Sequence, residues 1–152
     1  MICIRLDNVL ENPDDYVCGI MDGVFSDVGT RSGVFRGIQV RQNDLFESYI
    51  KRILPNYNCV LNFVRKSPRN QKEPNYIHKD DMHGDKTVIL YLNKKHPSGY
   101  GTTLYNEDKD PVIVNKGKYN SVFIFDSHIN HSRNIKENFD TRLIQVMFLK
   151  LK

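Results

Sequence analysis

The sequence has 152 residues, 39% of them apolar and 26% charged, and a formal net charge of +4. That is enough for one domain with a proper core, and the balance is that of an ordinary soluble globular chain. No apolar run approaches the ~18 residues of a spanning helix, and residues 1–7 lack the apolar core of a signal peptide. Lys and Arg are dispersed rather than gathered in a stripe, so neither a membrane nor a nucleic-acid partner is implied, and a cytoplasmic location is expected.

Residues 3–6 predict a short first strand. Asn12 then reads as a helix N-cap, with Pro13 at the first helical position, Asp14 and Asp15 in the first turn, and Gly23 as the stop. Val17, Ile20 and Met21 form its apolar face. Residues 26–33 are rich in Ser, Asp, Gly and Thr and read as a loop, and 34–40 predict a strand. Asn43 is expected to cap a second helix, in which Leu45, Phe46, Tyr49, Ile50, Ile53 and Leu54 recur at helical spacing before Pro55. Both helices are expected to support a sheet rather than to carry chemistry.

From Asn58 the pattern changes to short strands, predicted at 59–64, 76–80, 87–93, 104–105, 112–114, 121–125 and 142–149. Residues 65–75 read as a polar loop and 115–118 as a turn. Together these predict a mostly β (α+β) fold, a jelly roll backed by N-terminal helices, in a single domain over 1–152. Cys3, Cys18 and Cys59, odd in number and scattered, argue against a disulfide framework. The basic stretch 65–72 reads as a solvated loop, or as a lid that guides an anionic substrate.

Chemistry concentrates between Tyr76 and Arg142. His78 and Asp80 stand two apart, so on a strand both project from one face. Two imidazoles and one carboxylate can occupy one face of an octahedral iron(II) and leave three positions open. His131 is the candidate third ligand and His128 its rival, while His83 and His96 fall in predicted loops. Arg142 leads an otherwise apolar strand, so it is either exposed at the strand end or paired inside, where its planar fork suits a carboxylate. Tyr91 shares a strand face with Thr87, Ile89 and Asn93. Tyr76, Arg133, Asn62 and Phe63 are further candidates for a pocket lining.

His78-x-Asp80, a distal His131 and Arg142 after ten intervening residues resemble the 2-oxoglutarate/iron(II) dioxygenase superfamily. Leu90-Tyr91-Leu92-Asn93, followed by Ser98-Gly99-Tyr100-Gly101-Thr102-Thr103-Leu104-Tyr105, is similar to the "YLN … GGT" run of its prolyl-hydroxylase-like branch. His131-Ser132-Arg133 and Arg142-Leu143-Ile144-Gln145-Val146 further resemble small members common in bacteriophage genomes. The resemblance runs from about Asn58 to the C-terminus. It implies a double-stranded β-helix with iron(II) on His78, Asp80 and His131. It also implies 2-oxoglutarate as cosubstrate, with its distal carboxylate on Arg142 and Tyr91, and O2 as oxidant. The implied reaction is hydroxylation of an unidentified substrate (peptidyl residue, amino acid, nucleobase or small metabolite) with release of succinate and CO2. In one departure, many members carry Ser or Thr two residues after the basic residue; that position is Ile144 here, with Thr141 and Gln145 as the nearby substitutes. Two other readings stay open. A non-catalytic cupin-like barrel needs no carboxylate clamp, and a zinc hydrolase needs a further general base.

Overall fold

The computed structural model describes residues 3–31, 33–67, 76–95, 100–134 and 141–152. In chain order the elements are β1 (Cys3–Leu6), α1 (Pro13–Met21), β2 (Ser26–Thr30), β3 (Gly33–Val40), α2 (Leu45–Ile53) and β4 (Tyr57–Ser67). They continue with β5 (Lys86–Tyr91), β6 (Thr102–Tyr105), β7 (Pro111–Asn115), β8 (Ser121–Asp126), β9 (Asn130–Arg133) and β10 (Arg142–Leu151). Among the described residues the strands form two antiparallel sheets, a major one ordered β1-β8-β5-β10-β4-β3-β2 and a minor one ordered β7-β6-β9. This is the double-stranded β-helix, backed by the two N-terminal helices. No helix among the described residues is long and apolar enough to cross a membrane. The three cysteines are free.

β10 lies between β4 and β5, so both of its edges are paired, and its alternate residues are buried in two different cores. Leu143, Met147 and Leu149 join Val64, Val88, Leu90, Val122 and Ile124 on the face that packs on Ile20, Phe46 and Ile50 of the helices. Ile144, Val146 and Phe148 join Ile89, Tyr91, Phe123 and Phe125 on the other face, with Leu104 from the minor sheet. The period-two alternation of a strand produces both cores from one sequence run.

The helix starts obey the expected chemistry with one shift. Pro13 opens α1, but Asn12 makes no side-chain cap bond. The cap of α2 is Asp44 rather than Asn43: its carboxylate accepts from Glu47 N at 2.9 Å, and the Glu47 carboxylate accepts from Asn43 N at 2.9 Å. This pair is a variant of the capping box in which the return bond goes to the residue before the cap. Residues 26–30, expected as loop, form strand β2 paired with β3. The whole of β2 is exposed, so it carries no alternation of apolar residues to betray it. Conversely, 76–80 is not a continuous strand; its pairing is a single antiparallel bridge between His78 and His131. Most of the basic stretch lies outside the described residues, but Arg65, Lys66 and Ser67 belong to β4.

Gln145 is the polar position on the helix-facing side of β10. Its Nε2 donates to Asp44 Oδ2 at 2.8 Å and to Asn62 Oδ1 at 2.7 Å, and its Oε1 accepts from the Tyr16 hydroxyl at 2.5 Å. One buried amide therefore ties α1, the cap of α2, β4 and β10 together. Asn62 is thereby removed from the pocket-lining candidates, because it faces the helices. Burial works against the charge on Asp44, but bonds from Glu47 N, Gln145, Arg41 and Tyr16 outweigh it and hold the carboxyl below its ordinary pKa. Gln145→Leu is expected to lower stability by about 2–4 kcal/mol in urea unfolding, because it strands three buried polar partners. A carboxyl depressed by folding stabilises the fold above its unfolded pKa, and that stability is lost as pH falls through the folded value. The wild type is therefore expected to lose stability below about pH 4, and Gln145→Leu to lose less over the same range.

Candidate functional site

Two reciprocal backbone bonds build the site: His78 N donates to His131 O at 3.0 Å, and His131 N donates to His78 O at 2.9 Å. They hold the segment before β5 against β9 and bring the two imidazoles to 4.3 Å, their planes tilted by 52°. Asp80 is fixed by its own N–H on Ser127 O at 2.8 Å and lies between the rings. Its Oδ1 is 3.4 Å from His78 Nε2 and its Oδ2 is 2.8 Å from His131 Nε2. The three candidate ligand atoms all lie within 4.8 Å of one another. Phe125 meets the His131 ring edge-on at 4.8 Å and walls the cluster.

The ring nitrogens facing away from the cluster decide the tautomers. His78 Nδ1 lies 2.9 Å from Tyr76 O and His131 Nδ1 lies 2.9 Å from Ile129 O. A carbonyl only accepts, so each Nδ1 carries a proton and Nε2 is the nitrogen aimed at Asp80, available to a metal ion once it has given up any proton of its own. Two imidazole lone pairs and a carboxylate at this spacing fit a divalent metal with open positions. Burial pushes against ionisation of Asp80, yet bonds from His131 and His78 and the charge of both rings outweigh it and hold the carboxyl far below the usual range. Burial likewise opposes charge on His78, while Asp80 and the Tyr76 carbonyl overcome it and raise its pKa. Thr87 Oγ1, which bonds Ser127 Oγ at 2.9 Å, approaches Asp80 Oδ2 at 3.5 Å. Thr87 and Ser127 were not among the candidates, because a lone hydroxyl in an apolar strand or a turn carries no distinguishing pattern.

His128 is exposed in the turn before β9 and stands outside the cluster. His83 is exposed and stacks on Phe148, and His96 lies outside the described residues. The Tyr76 ring lies 4.9 Å from His78, at the mouth. Phe63 packs on the interior core, and Arg133 is level with Thr102 on β9.

Arg142 is 3% exposed, inside the fold rather than at its surface. Its Nε donates to Tyr100 O at 2.9 Å and its Nη2 to Gly101 O at 3.2 Å. Asn93 sets its place: the side-chain amide copies a peptide, donating to Thr141 O and accepting from Leu143 N, both at 2.8 Å, and so extends the ladder beyond β5. Tyr91, 2% exposed, points into the same interior, where its hydroxyl meets Thr102 Oγ1 at 2.7 Å. Burial raises the Tyr91 pKa most; Arg142, Thr102 and Asn115 oppose it. Gly117, at φ +72°, passes so close that a Cβ there would sit 2.8 Å from the Tyr91 ring.

No protein-family model matches the sequence, and no curated protein matches it significantly. Solved structures do. A prolyl-4-hydroxylase from Pseudomonas putida superimposes with a TM-score of 0.63 at 14% identity, over 99% of this chain and 92% of that one. An oxidoreductase of the 2OG-Fe(II) oxygenase family from Burkholderia pseudomallei gives 0.67 at 12% identity, over 97% and 84%. A Trichoplax adhaerens prolyl hydroxylase, in complex with a hypoxia inducible factor oxygen degradation domain peptide fragment, gives 0.66 at 19% identity, over 97% and 82%. The fold is that of the 2OG-Fe(II) oxygenases. At these identities the likeness is one of backbone architecture, and the resemblance read from the motifs holds at that level.

His78→Ala, Asp80→Ala and His131→Ala are each expected to abolish tight iron(II) binding, measured as metal content of purified protein, while leaving the fold intact. His128→Ala is expected to keep full iron; the reverse result would exclude His131 from the cluster's chemistry.

Proposed function

We propose that the chain is an iron(II)- and 2-oxoglutarate-dependent dioxygenase that hydroxylates a substrate with release of succinate and CO2. One observation carries this reading: a His-Asp-His cluster fit for a metal is walled by Phe125, which shares an interior core with Tyr91, and Tyr91 lies beside the buried Arg142. Iron(II) held by His78, Asp80 and His131 would supply the redox chemistry that couples decarboxylation of 2-oxoglutarate by O2 to attack on a C–H bond.

The chain's own residues do the rest. The Tyr76 and Ile129 carbonyls hold Nδ1 of each ring and keep both Nε2 atoms aimed at the cluster. Arg142, oriented by two backbone carbonyls, presents a planar cation to the distal carboxylate, and the Tyr91 hydroxyl donates beside it. Phe125, Ile89, Ile144 and Val146 keep this interior dry, which strengthens every charged contact within it. A barrel that only stores a metal has no use for a buried guanidinium in its interior. A zinc hydrolase needs a general base beside the metal, and Thr87, Ser127, Phe125 and Tyr76, which flank the cluster, offer none. Since two of the similar structures are prolyl hydroxylases, one with a peptide fragment bound, peptides are the first substrate pool to test.

The test is anaerobic titration of 2-oxoglutarate into iron-loaded protein, following the metal-to-ligand absorption band, then a succinate assay against peptide and metabolite pools. Arg142→Ala is expected to weaken 2-oxoglutarate by roughly 30- to 1,000-fold and spare iron, for a lost charge-assisted pair of about 2–4 kcal/mol. Arg142→Lys is expected to be intermediate, and Tyr91→Phe to lose about tenfold. Unchanged affinity in Arg142→Ala would remove the clamp and leave a generic metal-binding barrel.

A further inference from the structure

Ile144 stands where a hydroxyl is usual beside the clamp residue, and the two substitutes offered by the sequence do not reach the pocket. Gln145 is spent under the helices on Asp44, Asn62 and Tyr16. Thr141 falls, by strand alternation, on that same helix-facing side. The missing donor has to come from another strand.

The minor sheet provides one. Thr102 on β6 and Asn115 on β7 are register partners, and Thr102 Oγ1 bonds the Tyr91 hydroxyl, so this rung faces the interior. The next interior rung, Leu104 opposite Ile113, packs on the apolar core and confirms the alternation. β6 and β7 approach so closely at this end that a Cβ on Gly101 would lie 1.6 Å from Asn115 O. Gly101 O in turn accepts from Arg142 Nη2, so the Asn115 backbone is one contact removed from the guanidinium. Asn115 is 4% exposed, and its Nδ2, near enough to Tyr91 to favour the phenolate, makes no hydrogen bond within 3.5 Å. A buried amide donor left without an acceptor is costly and calls for one. Tyr91 lies beside it, and a carboxylate oxygen is an acceptor for the amide.

We infer that Asn115 is a ligand of the distal carboxylate of 2-oxoglutarate, its Nδ2 donating to the oxygen that a hydroxyl at position 144 would otherwise hold. This rests on the cosubstrate reading above. Ser67 Oγ, opposite Arg142 in register, is also buried without a partner. A hydroxyl can rotate and serve as donor or acceptor, whereas the amide nitrogen only donates and is fixed beside Tyr91.

The experiment compares two keto acids on iron(II)-loaded protein without oxygen: 2-oxoglutarate, and 2-oxobutanoate, which has the keto-acid end but no distal carboxylate. Asn115→Ala is expected to weaken 2-oxoglutarate by about 10- to 100-fold and to leave 2-oxobutanoate within about twofold. Asn115→Asp is expected to weaken 2-oxoglutarate further, since carboxylate then faces carboxylate, and Ser67→Ala to bind both as wild type does. Iron content and the 2-oxobutanoate affinity report that each variant is folded. Unchanged 2-oxoglutarate affinity in Asn115→Ala, an equal loss for both keto acids, or a loss confined to Ser67→Ala overturns the assignment. If iron-loaded wild type shows no band with 2-oxoglutarate, the cosubstrate reading itself fails, and the role of Asn115 with it.

Discussion

β10 is covered on both faces, and the rest of the molecule depends on its register. Odd-numbered positions from Leu143 to Leu149 go under the helices, and even-numbered ones from Arg142 to Phe148 go into the barrel. A slip by one residue would exchange the sets, burying Arg142 under the helices and turning Gln145 into the barrel. Two amides oppose that slip. Gln145 is locked to Asp44, Asn62 and Tyr16, and Asn93 bonds both sides of the strand's first peptide groups. Polar groups inside the structure thus specify where apolar alternation alone would be indifferent.

The same register positions the chemistry. With Arg142 pinned at the strand's start, its guanidinium is oriented by two carbonyls from the turn that enters β6. That turn can press against β7 only because position 101 is glycine. The His-Asp-His cluster is assembled separately, by the reciprocal His78–His131 backbone pair and by Asp80 N on Ser127 O. In each histidine a carbonyl fixes the ring before any ligand arrives, so little ordering is left for the moment of binding. Ile89, Ile144 and Val146 are buried in the same interior core as Tyr91 and Phe125.

The fold tolerates wide divergence around this plan because what it must preserve is geometric. A backbone bridge is indifferent to most side chains, a strand rung can be filled by any residue of suitable size, and a donor can come from either sheet. Ile144 is an instance: its apolar side chain simply joins the interior core.

Local rules in the sequence determined much of this. Alternation in 142–149, the many short strands and the helical spacing before Pro55 were sufficient to anticipate a jelly roll, whereas the grouping of His78, Asp80 and His131 with Arg142 and Tyr91 drew on the family resemblance. The cap of α2 was legible to within one residue, since Asn43 and Asp44 both have capping side chains. Other features were decided only by contacts between distant segments. His131 rather than His128 meets Asp80 because β9 pairs with His78 across more than fifty residues. β2 is a strand because β3 lies beside it, although no side chain of β2 is buried. Asn62 and Gln145 serve the helices, and Asn115 faces Tyr91, because sheet packing assigns each strand face its environment. Alternation along a chain tells which side chains share a face; it does not tell what that face will meet, and that is settled by non-local pairing alone.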